Sequence, residues 1–364
     1  MNVRFWPKAV ISLGLKRVAR HEIVKFYFKL LAIGAIPALV HAHHSPNVHY
    51  DRNEVVEIAG VLSDVKWQNP HVQLTVTVIG ENREEVDWIV DEVSAVNQSR
   101  RGVSSEEYQV GAPIHVAGFR GLRNRTAIFP TNTLLASGRE LVSRQSTGPL
   151  WTQNVVEDQP AATGDAVDAT LGIFRVWGRA AFTRESSRVG SQLWIDSYPL
   201  TEEAREVQAG WDRIADNPYL RCQNGMPAIM DSNHPMQIMQ DGDNILIRLE
   251  ELDLVRTVYL DDSPDAARSD PYGHSVGSWE GETLVVTTTA VDWPWFDQSG
   301  VPQSEQLQLV ERFRVTDDDR YLYYSVTATD PEVFTEPVTL EKRWIAVPGQ
   351  EIMPYQCSWE RDDL

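Results

Sequence analysis

The stretch Tyr272-Gly-His-Ser-Val-Gly-Ser-Trp-Glu-Gly-Glu-Thr-Leu-Val-Val286 decides how the chain is read. Gly273, Gly277 and Gly281 punctuate it, and Thr283 to Ala290 continues as β-branched and apolar residues. This pattern predicts a short strand, a tight turn at Glu280-Gly281-Glu282 and a longer strand pairing back. The reading puts His274, Trp279 and Glu280 at one end of the hairpin. There they form either a core tryptophan with turn-holding carboxylates or a polar cluster at the mouth of a barrel, where small ligands bind.

Working outward, the segments 236–239, 245–249, 254–260, 283–291, 307–315, 321–329 and 338–346 all alternate like strands. At least seven strands with short turns predict an antiparallel barrel or a strongly bent sandwich over 170–364, of which a calycin-like β-barrel is the reading adopted. Towards the N-terminus, 55–65, 72–79, 85–90, 113–119 and 126–134 read as strands, with one short helix over 94–101 capped by Ser94. Three strands, a helix and two strands predict a small OB-like barrel over 43–136. Residues 137–169 are poor in apolar side chains and read as a linker pinned by Trp151. The fold class is therefore mainly β, an OB-like barrel followed by a larger one.

Charge and the leader bound the setting. The formal charge is −19, from 33 basic and 52 acidic residues. Seven of the basic residues and one acid fall in the first 42, so the remainder carries 26 against 51, a net −25. Such a surface repels nucleic acid and anionic lipid, which excludes both as partners of the mature chain. The apolar run 30–40 follows Lys25 and Lys29 and ends in Val40-His41-Ala42, so residues 1–42 read as a secretory signal and the protein as exported, periplasmic. An uncleaved anchor is the alternative, weakened by Gly34 and Pro37. Two cysteines, Cys222 and Cys357, in an oxidising compartment allow one disulfide or two buried thiols.

Two constellations could carry chemistry. Cleavage after Ala42 would give His43 a free α-amine beside its imidazole, and His44, His49 and His71 could add nitrogens, a donor set that suits copper or zinc. The plain alternative is a frayed terminus. On the barrel strands, one face reads Leu307, Leu309, Glu311, Phe313, Val315 and another Leu254, Arg256, Val258, Leu260, so period two sends one charge of each sign inward. Arg256 and Glu311 then form either an internal ion pair that sets register or a polar handle in a ligand cavity, joined by His274 or Asp330. Ser275 lies in a Gly-x-Ser-x-Gly string without the strand–turn–helix context of a nucleophile, and is read as a turn residue.

The landmarks Cys222-x-x-Gly225-Met-Pro227, Arg256-x-Val-Tyr-Leu-Asp261, Gly273 to Val286, Ser304-Glu305, Glu311-Arg-Phe313, Asp330-Pro331 and Tyr355-x-Cys357 resemble a widespread family of exported bacterial proteins of unknown function, over nearly all of 170–364. The start His43-His44-Ser45 and the turn Asn69-Pro70-His71 are similar to a separate exported family. The chain departs where Gln303, Gln308 and Pro46 stand in place of His, His and Phe, which weakens a histidine-rich site in the barrel. Neither resemblance implies an activity. The leading expectation is a binding or accessory protein that holds a small, partly apolar ligand in the barrel through Arg256, Trp279 and Ser304, with copper or zinc at the processed terminus on His43, His44 and His71. The alternatives are a cofactor-independent lyase, isomerase or hydrolase using His274 with Glu280, Glu311 or Asp330 as acid and base, and a structural envelope protein.

Overall fold

The computed structural model describes residues 49–80, 82–143, 146–157, 167–179, 193–195, 197–212, 215–261 and 270–358. The leader read over 1–42, with His43 and His44, lies outside them. Among the described residues no helix is long and apolar enough to cross a membrane.

The first barrel uses β1 (Tyr50–Lys66), β2 (Gln73–Ile79), β3 (Glu85–Asp91), β4 (Pro113–Gly121) and β5 (Ala127–Leu134). β1 is long enough to pair antiparallel with β4 over its first part and with β2 over its last. Register shifts at Asp51/Val55 and Leu62/Asp64 bend it between those partners, as bulges do. β3 then closes on β5 in parallel through Ile89↔Ala127 and Val90↔Ile128. The ring β1-β2-β3-β5-β4 has OB connectivity. Inward positions Leu74, Val76, Val90, Val116 and Ile128 are fully buried and form its core. α1 (Ala95–Arg100) follows β3, and its cap Ser94 accepts the Asn97 N–H at 3.3 Å.

The segment read as a linker is partly sheet. β6 (Glu140–Val142) and β7 (Val155–Glu157) extend the first sheet beyond β5. Their organising centre is a polar side chain, which an apolar-pattern reading passes over. The buried Glu140 carboxylate accepts the backbone N–H groups of Leu150 at 2.7 Å, Trp151 at 2.9 Å and Thr152 at 3.0 Å, and the Asn132 amide at 2.6 Å.

The second barrel is a closed ring of β8 (Val176–Arg179), β9 (Met236–Asp241), β10 (Asn244–Leu249), β11 (Leu254–Tyr259), β12 (His274–Glu280), β13 (Thr283–Thr289), β14 (Gln308–Val315), β15 (Tyr321–Thr329) and β16 (Val338–Ala346). Every neighbouring pair is antiparallel except β11 and β12, which pair in parallel at Val258↔Ser275 and Tyr259↔Val276. Gly277 sits beside that parallel seam, where a Cβ would come within 2.6 Å of Val258 Cγ1. The hairpin of β12 and β13 turns at Gly281, whose φ of 63° lies in the left-handed region. Large side chains fill the interior, among them Trp177, Trp344, Tyr324 and Phe313.

Candidate functional site

Period two places the second barrel's charges where the sequence puts them. Arg256 on β11 and Glu311 on β14 both point inward and are buried. Arg256 meets the carboxylate as a two-pronged fork, Nη1 to Oε1 at 2.9 Å and Nη2 to Oε2. Its Nε donates to Ser275 Oγ at 2.9 Å and Nη2 also to Thr288 Oγ1 at 2.6 Å. Tyr324 donates its hydroxyl to Glu311 Oε1 at 2.9 Å, and Thr288 donates to Oε2 at 3.1 Å. Thr288 has one proton, so the 3.1 Å contact with Ser275 runs from the serine to the threonine. Ser275 and Thr288 thus each have a donor and an acceptor partner. Burial works against the Arg256 charge, but the Glu311 carboxylate outweighs it and holds the guanidinium above its ordinary pKa. Burial, reinforced by the Glu311 charge, pushes the Tyr324 phenol well above its usual range. Ser275, read as a turn residue, is a buried strand residue of this network.

The other sequence candidates do not join it. His274 and Glu280 are the first and last residues of β12, six residues and therefore about 20 Å apart. The single cluster read at one end of the hairpin is corrected accordingly: Trp279 and Glu280 stand at the turn, His274 at the far end. His274 lies on the outer side of the wall, its ring 5.3 Å from Tyr259. Glu280 is exposed and pairs with Arg312 at 2.7 Å. Trp279 is nearly half exposed, edge-on to Phe174 at 6.2 Å. Asp330 is buried and accepts the Ser304 backbone N–H and hydroxyl, each at 2.7 Å, which ties two loops together. His274 and Glu280, at opposite ends of β12, do not form one acid–base cluster.

Sequence reasoning missed a third inward charge. Lys342 on β16 is buried and donates to the carbonyls of Met230 at 3.1 Å and Ser232 at 2.8 Å, its ammonium 4.1 Å from the centre of the Trp344 ring. Leu340 and Trp344 flank it at period two, a usable signal, but charged Glu341 and Arg343 on either side hide it.

A concavity lies in the first barrel. A cleft of about 250 Å³, open solvent included, is lined by Glu92, Arg101, Phe129, Thr131 and Ser143 among others. Glu92 is buried and takes the Thr133 hydroxyl at 2.5 Å and the Gln98 amide at 3.3 Å. Beside it, His71 makes a 2.8 Å contact from Nδ1 to the Glu92 carbonyl. A carbonyl only accepts, so Nδ1 carries the proton. The His71 ring lies 6.4 Å from Phe129, which in turn lies 5.6 Å from Tyr50, and Tyr50 donates its hydroxyl to Asp91. Among the described residues no three His, Cys, Asp or Glu side chains converge as a metal-ligand set.

The two barrels meet at a junction that the sequence does not announce. Glu250, fully buried, takes a bidentate pair from Arg100 at the end of α1, with Nη1 to Oε1 at 2.6 Å. It also contacts His234 Nδ1 at 3.2 Å and accepts the Met353 N–H at 3.0 Å. Burial alone would raise the Glu250 carboxyl, but the His234, Arg100 and Met353 bonds outweigh it and hold it below its ordinary value. Cys222 and Cys357 form the disulfide.

Residues 30–128 match a family of unknown function, DUF6152. The match runs into β5 and agrees with the resemblance carried by His43-His44-Ser45 and Asn69-Pro70-His71. No curated protein matches the chain.

Proposed function

We propose that the protein is an exported, periplasmic binding or accessory protein whose site lies at the His71 end of the first barrel. There it takes a small, partly apolar ligand, together with a copper or zinc ion held by His71 with His43 and His44. The reading rests on the tautomer of His71. With Nδ1–H on the Glu92 carbonyl, Nε2 is the nitrogen of the neutral ring that would ligate, the arrangement in which metal-binding histidines are oriented by a backbone carbonyl. The nearby carboxylates of Asp91 and Glu92 favour a cation, and Phe129 and Tyr50 supply an apolar wall. His44 stands six residues before Tyr50, where β1 starts, so the intervening chain can span no more than about 22 Å. Export is supported by the basic front and apolar run of the leader, and by the resemblance of 170–364 to exported bacterial proteins.

The ligand site moves from the second barrel to the first because the Arg256–Glu311 handle is enclosed by its own hydroxyl partners and the interior around it is packed. The separation of His274 from Glu280 along β12 favours binding over catalysis. The test is titration of the processed chain, beginning at His43, with copper and zinc under native mass spectrometry. One equivalent should be retained, and His71→Ala or acetylation of the α-amine should each abolish it. Retention that survives both changes, or no retention at all, overturns the metal reading and leaves a structural envelope protein as the better account.

A further inference from the structure

The tail 351–358 belongs to neither barrel yet is stitched to both. On the second barrel's side, Met353 N–H donates to Glu250, and Tyr355 and Gln356 N–H donate to the two oxygens of Asp253 at 2.8 and 3.0 Å. On the first barrel's side, Asn69 Nδ2 donates to the Tyr355 carbonyl, and Ser358 N–H donates to the Asn69 carbonyl at 2.9 Å. Asn69 and Cys357 form a parallel bridge between these sets. Asn69 also caps the start of α1, its Oδ1 accepting the Val96 N–H at 3.2 Å. The Asn69-Pro70-His71 turn is thus held from one side by its own helix and from the other by the tail.

Apart from its chain connection to β16, the tail has one covalent anchor, the bond from Cys357 to Cys222, which lies after a short 3-10 turn of the second barrel. The remaining contacts are the buried Tyr355 ring, edge-on to His234 at 4.8 Å, and hydrogen bonds, which exchange with water at small net gain. Both cysteines are only half-buried, so a dithiol can reach them.

We propose that the Cys222–Cys357 disulfide is a redox latch that clamps the tail across the Asn69-Pro70-His71 turn and so couples the two barrels. Opening it needs a dithiol reductant. One thiolate attacks a cystine sulfur, the S–S bond breaks and a mixed disulfide forms. The second thiol of the reductant then displaces the other cysteine. Two electrons pass to the cystine, the reductant leaves as a disulfide, and its two protons end on Cys222 and Cys357. The Arg100–Glu250 pair and the buried Tyr355 ring keep the barrels tethered, while the turn and the end of the tail around Cys357 come free.

Hydrogen exchange of the full folded chain tests this without reference to metal or ligand. After dithiothreitol treatment, with both thiols confirmed by alkylation, peptides covering 67–72 and 351–358 should exchange at least tenfold faster, while peptides from β13 and β14 keep their protection. The double variant Cys222→Ser/Cys357→Ser should match the reduced protein. If that variant does not fold, reduction of the pre-folded protein decides alone. Unchanged exchange at the turn and tail, a general loss of protection that includes β13 and β14, or a disulfide that dithiothreitol leaves intact in the folded protein would each overturn the latch.

Discussion

Glu311 and Arg256 are two full charges in a place water does not reach, and each carries a desolvation cost of several kcal/mol. The fork between them, the Tyr324 and Thr288 hydroxyls on the carboxylate and Ser275 on Nε together offset that cost. Glu311→Gln keeps the shape, removes the counterion and puts an amide donor where an acceptor faced donors. Urea unfolding should report a loss of about 3–5 kcal/mol; a loss under about 1 kcal/mol would mean that water solvates Arg256 and the interior is open. Glu251 makes the opposite case. Burial pushes its carboxyl to about 8, against the pull of the Lys342 charge and the Asn233 N–H. The folded-state value lies above the ordinary 4.5, so this group's stabilisation is whole below 4.5 and is lost as pH rises towards 8. Glu251→Gln escapes that loss. Its Tm should gain on the natural protein between pH 5 and pH 8.5, and parallel Tm curves over that range would show that Glu251 is already ionised in the fold.

At the scale of strands and loops, period two was the most legible signal. It put Arg256 and Glu311 inside, because each interrupts an apolar row without charged neighbours on the same face. The same rule, carried along β12, separates His274 from Glu280, since two residues at opposite ends of a seven-residue strand cannot share a substrate. β6 and β7 escaped notice because three-residue strands have too few positions to alternate, and the loop between them is ordered by the Glu140 carboxylate. The Asn69-Pro70-His71 turn and the Tyr355-x-Cys357 segment each stood out locally. Their meeting did not, since 286 residues separate Asn69 from Tyr355 and no local pattern encodes a contact at that range. The first barrel's cleft was equally hidden, because it joins residues just after β3 to β5 and β6, which are far apart in the sequence.

For the whole molecule, the question is whether the two barrels unfold together. Their charged link is Arg100 with Glu250, and the carboxylate end is fully buried while the guanidinium keeps some contact with solvent. Replacing Arg100 by Gln leaves Glu250 to His234 and the Met353 N–H alone, inside the fold. A buried carboxylate short of a counterion weakens the interface more than either barrel core, which rests on apolar packing of its own. Calorimetry of the oxidised natural protein should therefore give one transition at neutral pH, and Arg100→Gln should resolve it into two. Acid should do the same to the natural protein. The Glu250 carboxyl is held below its ordinary 4.5, so its contribution is whole above 4.5 and is lost as pH falls through the folded-state value. Scans stepped down from pH 5 should broaden and then split, whereas Arg100→Gln, already uncoupled, should change much less in shape. A single transition that shifts without splitting, in the variant and in acid alike, would mean that the barrels are held as one cooperative unit by something other than this pair.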